Sequence, residues 1–120
     1  MKEVIFNFEK LKVYQKSLDF IDFVYNTTKT FPNDERYGLT SQYRRAAISI
    51  ALNISEGHGD TNPQFNRYLS IAWDSIKECV TCSTIATRRN FISEETNIET
   101  RTKLEELAKM ISGLKRRLKK

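Results

Sequence analysis

Little in this chain of 120 residues breaks a helix: it has two prolines and four glycines. Long segments run uninterrupted, which argues against a β-rich fold with its frequent turns and for helix. Cysteine is equally scarce. Two cysteines make no disulfide framework, so the fold is expected to rest on its core, in a reducing compartment. No stretch reaches the ~20 apolar residues of a membrane span. The start, MKEVIFNFEK, carries an early Glu3 and a short apolar run, unlike a secretory leader. The expectation is a cytoplasmic protein with a single domain over residues 1–120.

A general charge excess is also missing. The net charge is +5, from 20 cations and 15 anions. Five of the 20 cations sit in the basic C-terminal tail, residues 115–120: Lys115, Arg116, Arg117, Lys119 and Lys120. The rest of the chain balances 15 against 15. Any electrostatic argument for nucleic acid therefore reduces to that tail and to local pairs such as Arg44-Arg45 and Arg88-Arg89.

What the chain has in quantity is helical periodicity. After an arm over residues 1–10, in which Ile5, Phe6 and Phe8 point to packing, a first helix is expected from Lys12 to Thr30. Leu11, Tyr14, Leu18, Ile21, Tyr25 and Thr28 line one face of it, with Val13, Phe20, Val24 and Phe31 as a second stripe. Two stripes require two neighbours, as in a bundle. Pro32 closes that helix. The second runs from Tyr37 to Glu56 and is expected to end over Gly57-His58-Gly59-Asp60, glycine supplying a left-handed terminus. Within it, Gln42 to Gly57 is apolar almost all round, so it needs cover on every side, from a bundle or from another subunit. Asn62 as N-cap and Pro63 at the first position start the third helix, which reaches Arg89. Its core is expected at Phe65, Leu69, Ala72, Ile76, Cys79, Ser83 and Ala86. A fourth helix, Asn97 to Leu118, presents Leu104, Leu107, Ile111, Leu114 and Leu118. The fold class is all-α: an up-down-up-down antiparallel four-helix bundle. That topology sends Arg44, Arg45, Arg88 and Arg89 toward one end and the tail toward the other.

The run RRAAISIALNISEG, with YGLTSQ before it and FNRYLSIAWDSIKE after it, resembles the four-helix-bundle family of 23S rRNA intervening-sequence proteins. The likeness extends upstream through LKVYQKSLDF and VYNTTKTFP and spans roughly Leu11 to Ile92. The chain is also similar to the accessory proteins of diversity-generating retroelements. The resemblance implies a homopentameric, closed assembly and a link to RNA, because such proteins are encoded within segments inserted in 23S rRNA genes. It implies no catalytic residue.

Other candidates read as structure. Cys79 and Cys82 form a C-x-x-C, but in mid-helix, where both sulfurs enter the bundle; zinc needs four ligands, and His58 is the only other soft donor. The chain lacks the Glu-x-x-His pairs of a bundle di-metal site. His58, between Glu56 and Asp60, reads as a loop residue. Glu56 is expected either to pair with Arg44 or Arg45, in its own or a neighbouring subunit, or to be a solvated helix end. Trp73, Tyr68 and Tyr43 fall off the simplest stripes, and this surplus apolar surface favours self-association. No enzyme, cofactor, metal, small-molecule substrate or membrane is expected. The reading is a non-enzymatic ring that binds structured RNA or other nucleic acid. Its backbone contacts come from Arg44, Arg45, Arg88, Arg89, Lys115, Arg116, Arg117, Lys119 and Lys120. The alternative is a protein–protein adaptor or structural oligomer, favoured by the apolar excess and by a lack of interleaved aromatics and cations.

Overall fold

The computed structural model describes residues 2–119. Four helices follow one another: α1 (Lys12–Thr28), α2 (Leu39–Gly57), α3 (Asn62–Arg88) and α4 (Glu94–Leu118). Short 3-10 turns over Asn7–Lys10 and Asn33–Glu35 precede α1 and α2. Among the described residues there is no strand, and no helix is long and apolar enough to cross a membrane.

Each helix packs against two others. α1 lies closest to α2 and α4, and α3 lies closest to α2 and α4. Cross-helix pairs fix the directions. Between α3 and α4, Trp73 Nε1 donates to Ser112 Oγ at 3.1 Å and Arg101 Nη2 to Thr84 Oγ1 at 2.7 Å. Between α2 and α3, Gln42 Nε2 donates to Glu78 Oε2 at 3.3 Å and Ser75 Oγ to Ser49 Oγ at 2.8 Å. As one number rises its partner's falls, so these neighbours are antiparallel.

Local chemistry sets the helix ends, and several boundaries differ from the sequence expectation, α2 starting at Leu39, two residues past the expected Tyr37. The cap of α3 is Thr61, whose Oγ1 accepts from Gln64 N, so Asn62 is already helical. α4 starts at Glu94 because Ser93 Oγ accepts from Thr96 N at 3.1 Å. α1 ends at Thr28, before Pro32 can act. At the end of α3, Asn90 takes the left-handed conformation (φ 62°), and Asn90 N and Phe91 N donate back to Thr87 O and Ala86 O. Phe91 then packs on Phe31, ring centroids 5.5 Å apart. At the end of α2 the left-handed residue is Gly59 (φ 88°), within the expected glycine-containing stop. Gly57 is small for another reason. A Cβ there would lie 2.8 Å from Tyr68 Cβ and 2.9 Å from Phe65 Cδ1.

The core confirms the α3 stripe in full, and in α4 it takes Leu104, Leu107 and Ile111. It reverses the reading of α1. The buried residues there are Val13, Ser17, Phe20, Val24 and Thr28, while Leu18 and Tyr25 are exposed and Tyr14 and Ile21 are half-buried. The two stripes share one period, and the rotation that seats the second against α2 and α4 leaves the first on the rim. α2 departs similarly. A corner position in a square bundle supplies two neighbours, so Ala46, Ala47, Ile50 and Ile54 are buried while Leu52 remains 60% exposed. In the arm, Phe8 packs edge-on to Tyr14 at 5.1 Å, whereas Ile5 and Phe6 are exposed. Tyr43 belongs to the core, wholly buried, and not to a surplus surface.

Candidate nucleic-acid interface

The eight candidate cations among the described residues fall at the two ends of the bundle, and each end treats them differently. Arg44 and Arg45 lie in the second turn of α2, while Arg88 ends α3 and Arg89 caps it. Arg45, Arg88 and Arg89 are exposed. Arg44 is half-buried and held. Its Nε donates to Thr28 Oγ1 at 2.9 Å, and its guanidinium carbon lies 4.4 Å from the centroid of the Tyr25 ring. Thr28 is oriented in turn by donating its hydroxyl to Val24 O at 2.8 Å. The planar cation is thus clamped across the α1–α2 seam, its charge retained. Arg44 and Glu56 stand twelve residues apart on one helix, about 18 Å at ~1.5 Å per residue. That distance rules out the pairing within the chain, and Glu56 is solvent-exposed.

At the opposite end, the tail is the last turn of α4. Cations there offset the exposed carbonyls of the helix C-terminus. Lys115 Nζ hydrogen-bonds Ser70 Oγ and so ties α4 to α3. Arg116 lines the α3–α4 groove together with Lys77, Arg101 and Lys109. Arg117 turns the other way, into a cleft between α1 and α4 shared with Lys12 and Lys109. Lys119 is exposed, and Lys120 lies outside the described residues. The tail is therefore not one patch; consecutive residues around a helix point to different faces. Lys12, Lys77, Arg101 and Lys109 were missed from sequence. Arg101, Lys109 and Arg116 do recur at helical spacing, a signal that pair-by-pair reading overlooks.

Ion pairs hold four cations outside the candidate set, while Lys12, Lys29, Arg36, Arg67 and Arg101 have no carboxylate partner among the described residues, like the candidates. Among the described residues the pairs are Lys16–Glu106, Lys77–Asp74, Lys103–Glu99 and Lys109–Glu105. None includes a member of the candidate set. The expected lack of interleaved aromatics and cations is also overturned: Arg36 lies over Tyr37, Arg44 over Tyr25 and Arg67 over Tyr68.

The soft donors have structural surroundings. Cys79 and Cys82 are free and buried. Burial pushes both thiols up, that of Cys82 to about 11, so neither is an activated thiolate. His58 stands edge-on to Phe65, ring centroids 5.7 Å apart. No cluster of three or more His, Cys, Asp or Glu suited to a metal occurs among the described residues.

The sequence model of the family described as 23S rRNA-intervening sequence protein matches residues 9–113. The chain belongs to this family. No curated protein matches it. A solved structure with which it shares the fold is described as a protein of unknown function from the S23 ribosomal protein family of Bacteroides thetaiotaomicron. That likeness has a TM-score of 0.78 at 24% identity, over 86% of this chain and 97% of the other. At such identity the shared property is the bundle. Membership in the intervening-sequence family thus accounts for the architecture, and the cations remain to be read on their own chemistry.

Proposed function

We propose that this intervening-sequence family protein is a non-enzymatic, cytoplasmic, homo-oligomeric bundle that binds structured RNA or other nucleic acid through its phosphate backbone. One observation carries the reading. Arg45, Arg88 and Arg89 stand exposed at the end of the bundle where α2 begins and α3 ends, with no carboxylate partner among the described residues. Cations left open together at one end are free to contact a phosphate backbone. A closed homopentamer, which the family resemblance implies, would repeat both ends around an axis and raise the local cation concentration.

The test is binding of a fluorescent structured RNA across a salt series. Full-length protein is compared with Arg116→Ser/Arg117→Ser/Lys119→Ser/Lys120→Ser and with Arg88→Ser/Arg89→Ser. Removing one cation–phosphate pair should flatten the log–log slope by roughly 0.7 to 0.9. Binding with a flattened slope supports the reading. Absence of binding at low salt for the full-length chain overturns it and turns the search to a protein adaptor.

A further inference from the structure

Two apolar surfaces of this bundle have no cover, and they lie on opposite sides. One belongs to α1 and α2. Tyr14, Leu18, Ile21 and Tyr25 run along α1, and Ile48 and Leu52 follow Arg44 along α2 on the side that meets α1; Leu18 is 40% and Leu52 60% exposed. The arm extends this face, because the 3-10 turn after it packs on α1 and α2, and Val4, Ile5 and Phe6 stand exposed. The other surface is the groove between α3 and α4, about 810 Å³, with Trp73, Ile76, Val80, Leu104 and Ala108 in its walls. In the square arrangement the α1–α2 side faces away from the α3–α4 side. The arm cannot close the gap. Residues 2–6 reach at most ~17 Å at ~3.4 Å each, and the bundle's shortest extent is already 23 Å.

The charges beside Leu18 and Leu52 are opposite in sign to the open charges of the groove. Leu18 is followed four residues on by Asp22, and Leu52 by Glu56. Both carboxylates are exposed and in no ion pair among the described residues. In the groove, Lys77 and Lys109 have partners in Asp74 and Glu105, which leaves Arg101 and Arg116 without a carboxylate among the described residues. Unpaired acid flanks the ridge beside Leu18 and Leu52, while Arg44 at its far end is held on Thr28 and Tyr25; unpaired base flanks the apolar groove.

We propose that the α1–α2 face of one copy, around Leu18 and Leu52, seats in the α3–α4 groove of a second copy, Asp22 and Glu56 meeting Arg101 and Arg116. The assignment rests on the oligomeric part of the function proposed above and specifies its interface. Because the two surfaces differ, the contact is heterologous, the kind that propagates into a ring or filament and does not stop at a two-fold dimer. It withdraws Arg116 from the phosphate set and leaves Arg45, Arg88, Arg89, Arg117 and Lys119 open. It also gives the unfilled groove an occupant of matching shape and charge.

The chain's one tryptophan, Trp73, reports on the groove from the side opposite the leucines. Leu18→Glu/Leu52→Glu changes exposed positions and keeps the fold, checked by circular dichroism. The expected result is a fall of native mass to monomer, with a red shift of Trp73 emission and loss of its protection from acrylamide. Ala108→Arg, in the groove, should dissociate the protein too. An equimolar mixture of the two variants should recover a heterodimer and go no further, since one intact face and one intact groove remain. If wild type is oligomeric and either variant stays fully assembled, or Trp73 is equally quenchable before and after dissociation, the interface assigned here is wrong while self-association stands. If wild type is a monomer at all concentrations, self-association falls and this interface with it.

Discussion

The α2–α3 seam and the α1–α4 seam of this bundle are built on different principles. Small residues line the first: Ala46, Ala72, Ser75, Cys79 and Gly57 are buried there, and Ser49 and Ser75 touch hydroxyl to hydroxyl. The backbones come close enough that Gly57 has no room for a methyl group. Long side chains span the second. Lys16 reaches Glu106 at 3.3 Å, and Lys103 Nζ lies 5.1 Å from the centroid of Phe23. Around Phe20 and Leu107 a cleft of about 100 Å³ stays open among those charges. Close backbone approach concentrates dispersion contacts but tolerates no added volume. Bridging side chains can move and absorb change. The same fold therefore has one rigid and one yielding seam.

The largest break of that contrast is Ile50→Glu, at a wholly buried position of α2. An unpaired carboxylate there costs several kcal/mol, on the order of the stability of a small domain. The expected outcome is loss of the cooperative thermal transition; a folded variant with an unchanged midpoint would refute the buried-helix reading. Gly57→Ala is next. Its new Cβ meets Tyr68 Cβ and the Phe65 ring inside 3 Å, and Tyr68 Cβ is too near its backbone to swing aside. Overpacking of this kind costs about 1–3 kcal/mol. Urea unfolding should show a lower midpoint at unchanged slope.

Much of the rigid seam was legible. Phe65 through Ala86 repeats on alternate steps of four and three, and only one face of α3 carries it. α1 was not, because its two stripes have the same period and comparable apolarity. What separates them is the seating of small Ser17 and Thr28 in the seam, Thr28 as the acceptor for Arg44, and that contact crosses helices. The site divides the same way. Arg88-Arg89 and Arg44-Arg45 stand out as neighbours in the chain, and the Arg36-Tyr37 and Arg67-Tyr68 stackings were equally open to inspection. Arg101 and Lys109 share α4 with Arg116 at successive spacings of eight and seven, a signal carried by the helix alone. Only the antiparallel packing of α4 against α1 and α3 brings Lys12 beside Arg117 and Lys77 beside Arg116.

Alkali should act on the rigid half selectively. Its buried ionisable groups, Tyr43, Cys79 and Cys82, are all pushed up, chiefly by burial. Tyr43 Oη lies near the hydroxyls of Thr100 and Ser83 with no hydrogen-bond partner among the described residues. In the unfolded chain a thiol ionises near about 8.5, whereas in the fold that of Cys82 holds its proton to about 11. Between those values the unfolded state binds fewer protons, so stability falls as pH rises; below them the contribution is fully present. The melting temperature should therefore drop between about pH 9 and 11, and Cys79→Ala/Cys82→Ala should drop less steeply over that interval. Parallel slopes for both proteins would show that the thiols are not the cause.

The smallest effect belongs to the yielding seam and carries the comparison's other half. Lys16 and Glu106 keep 44% and 54% of their side-chain surface exposed. In that setting Coulomb gain, screening and side-chain entropy nearly cancel, and exposed pairs contribute about 0–1 kcal/mol. Lys16→Ala and Glu106→Ala should each shift the urea midpoint only slightly, and the double variant should differ little from the sum of the two. Added salt should shrink even that difference, because the pair is reached by solvent. The decisive reading is against Gly57→Ala in the same buffer. One methyl group added to the α2–α3 seam should cost more than a whole ion pair removed from the α1–α4 seam. Were the ion pair the costlier loss, the α1–α4 seam would be held by its charges and would have to be counted among the rigid parts of the bundle.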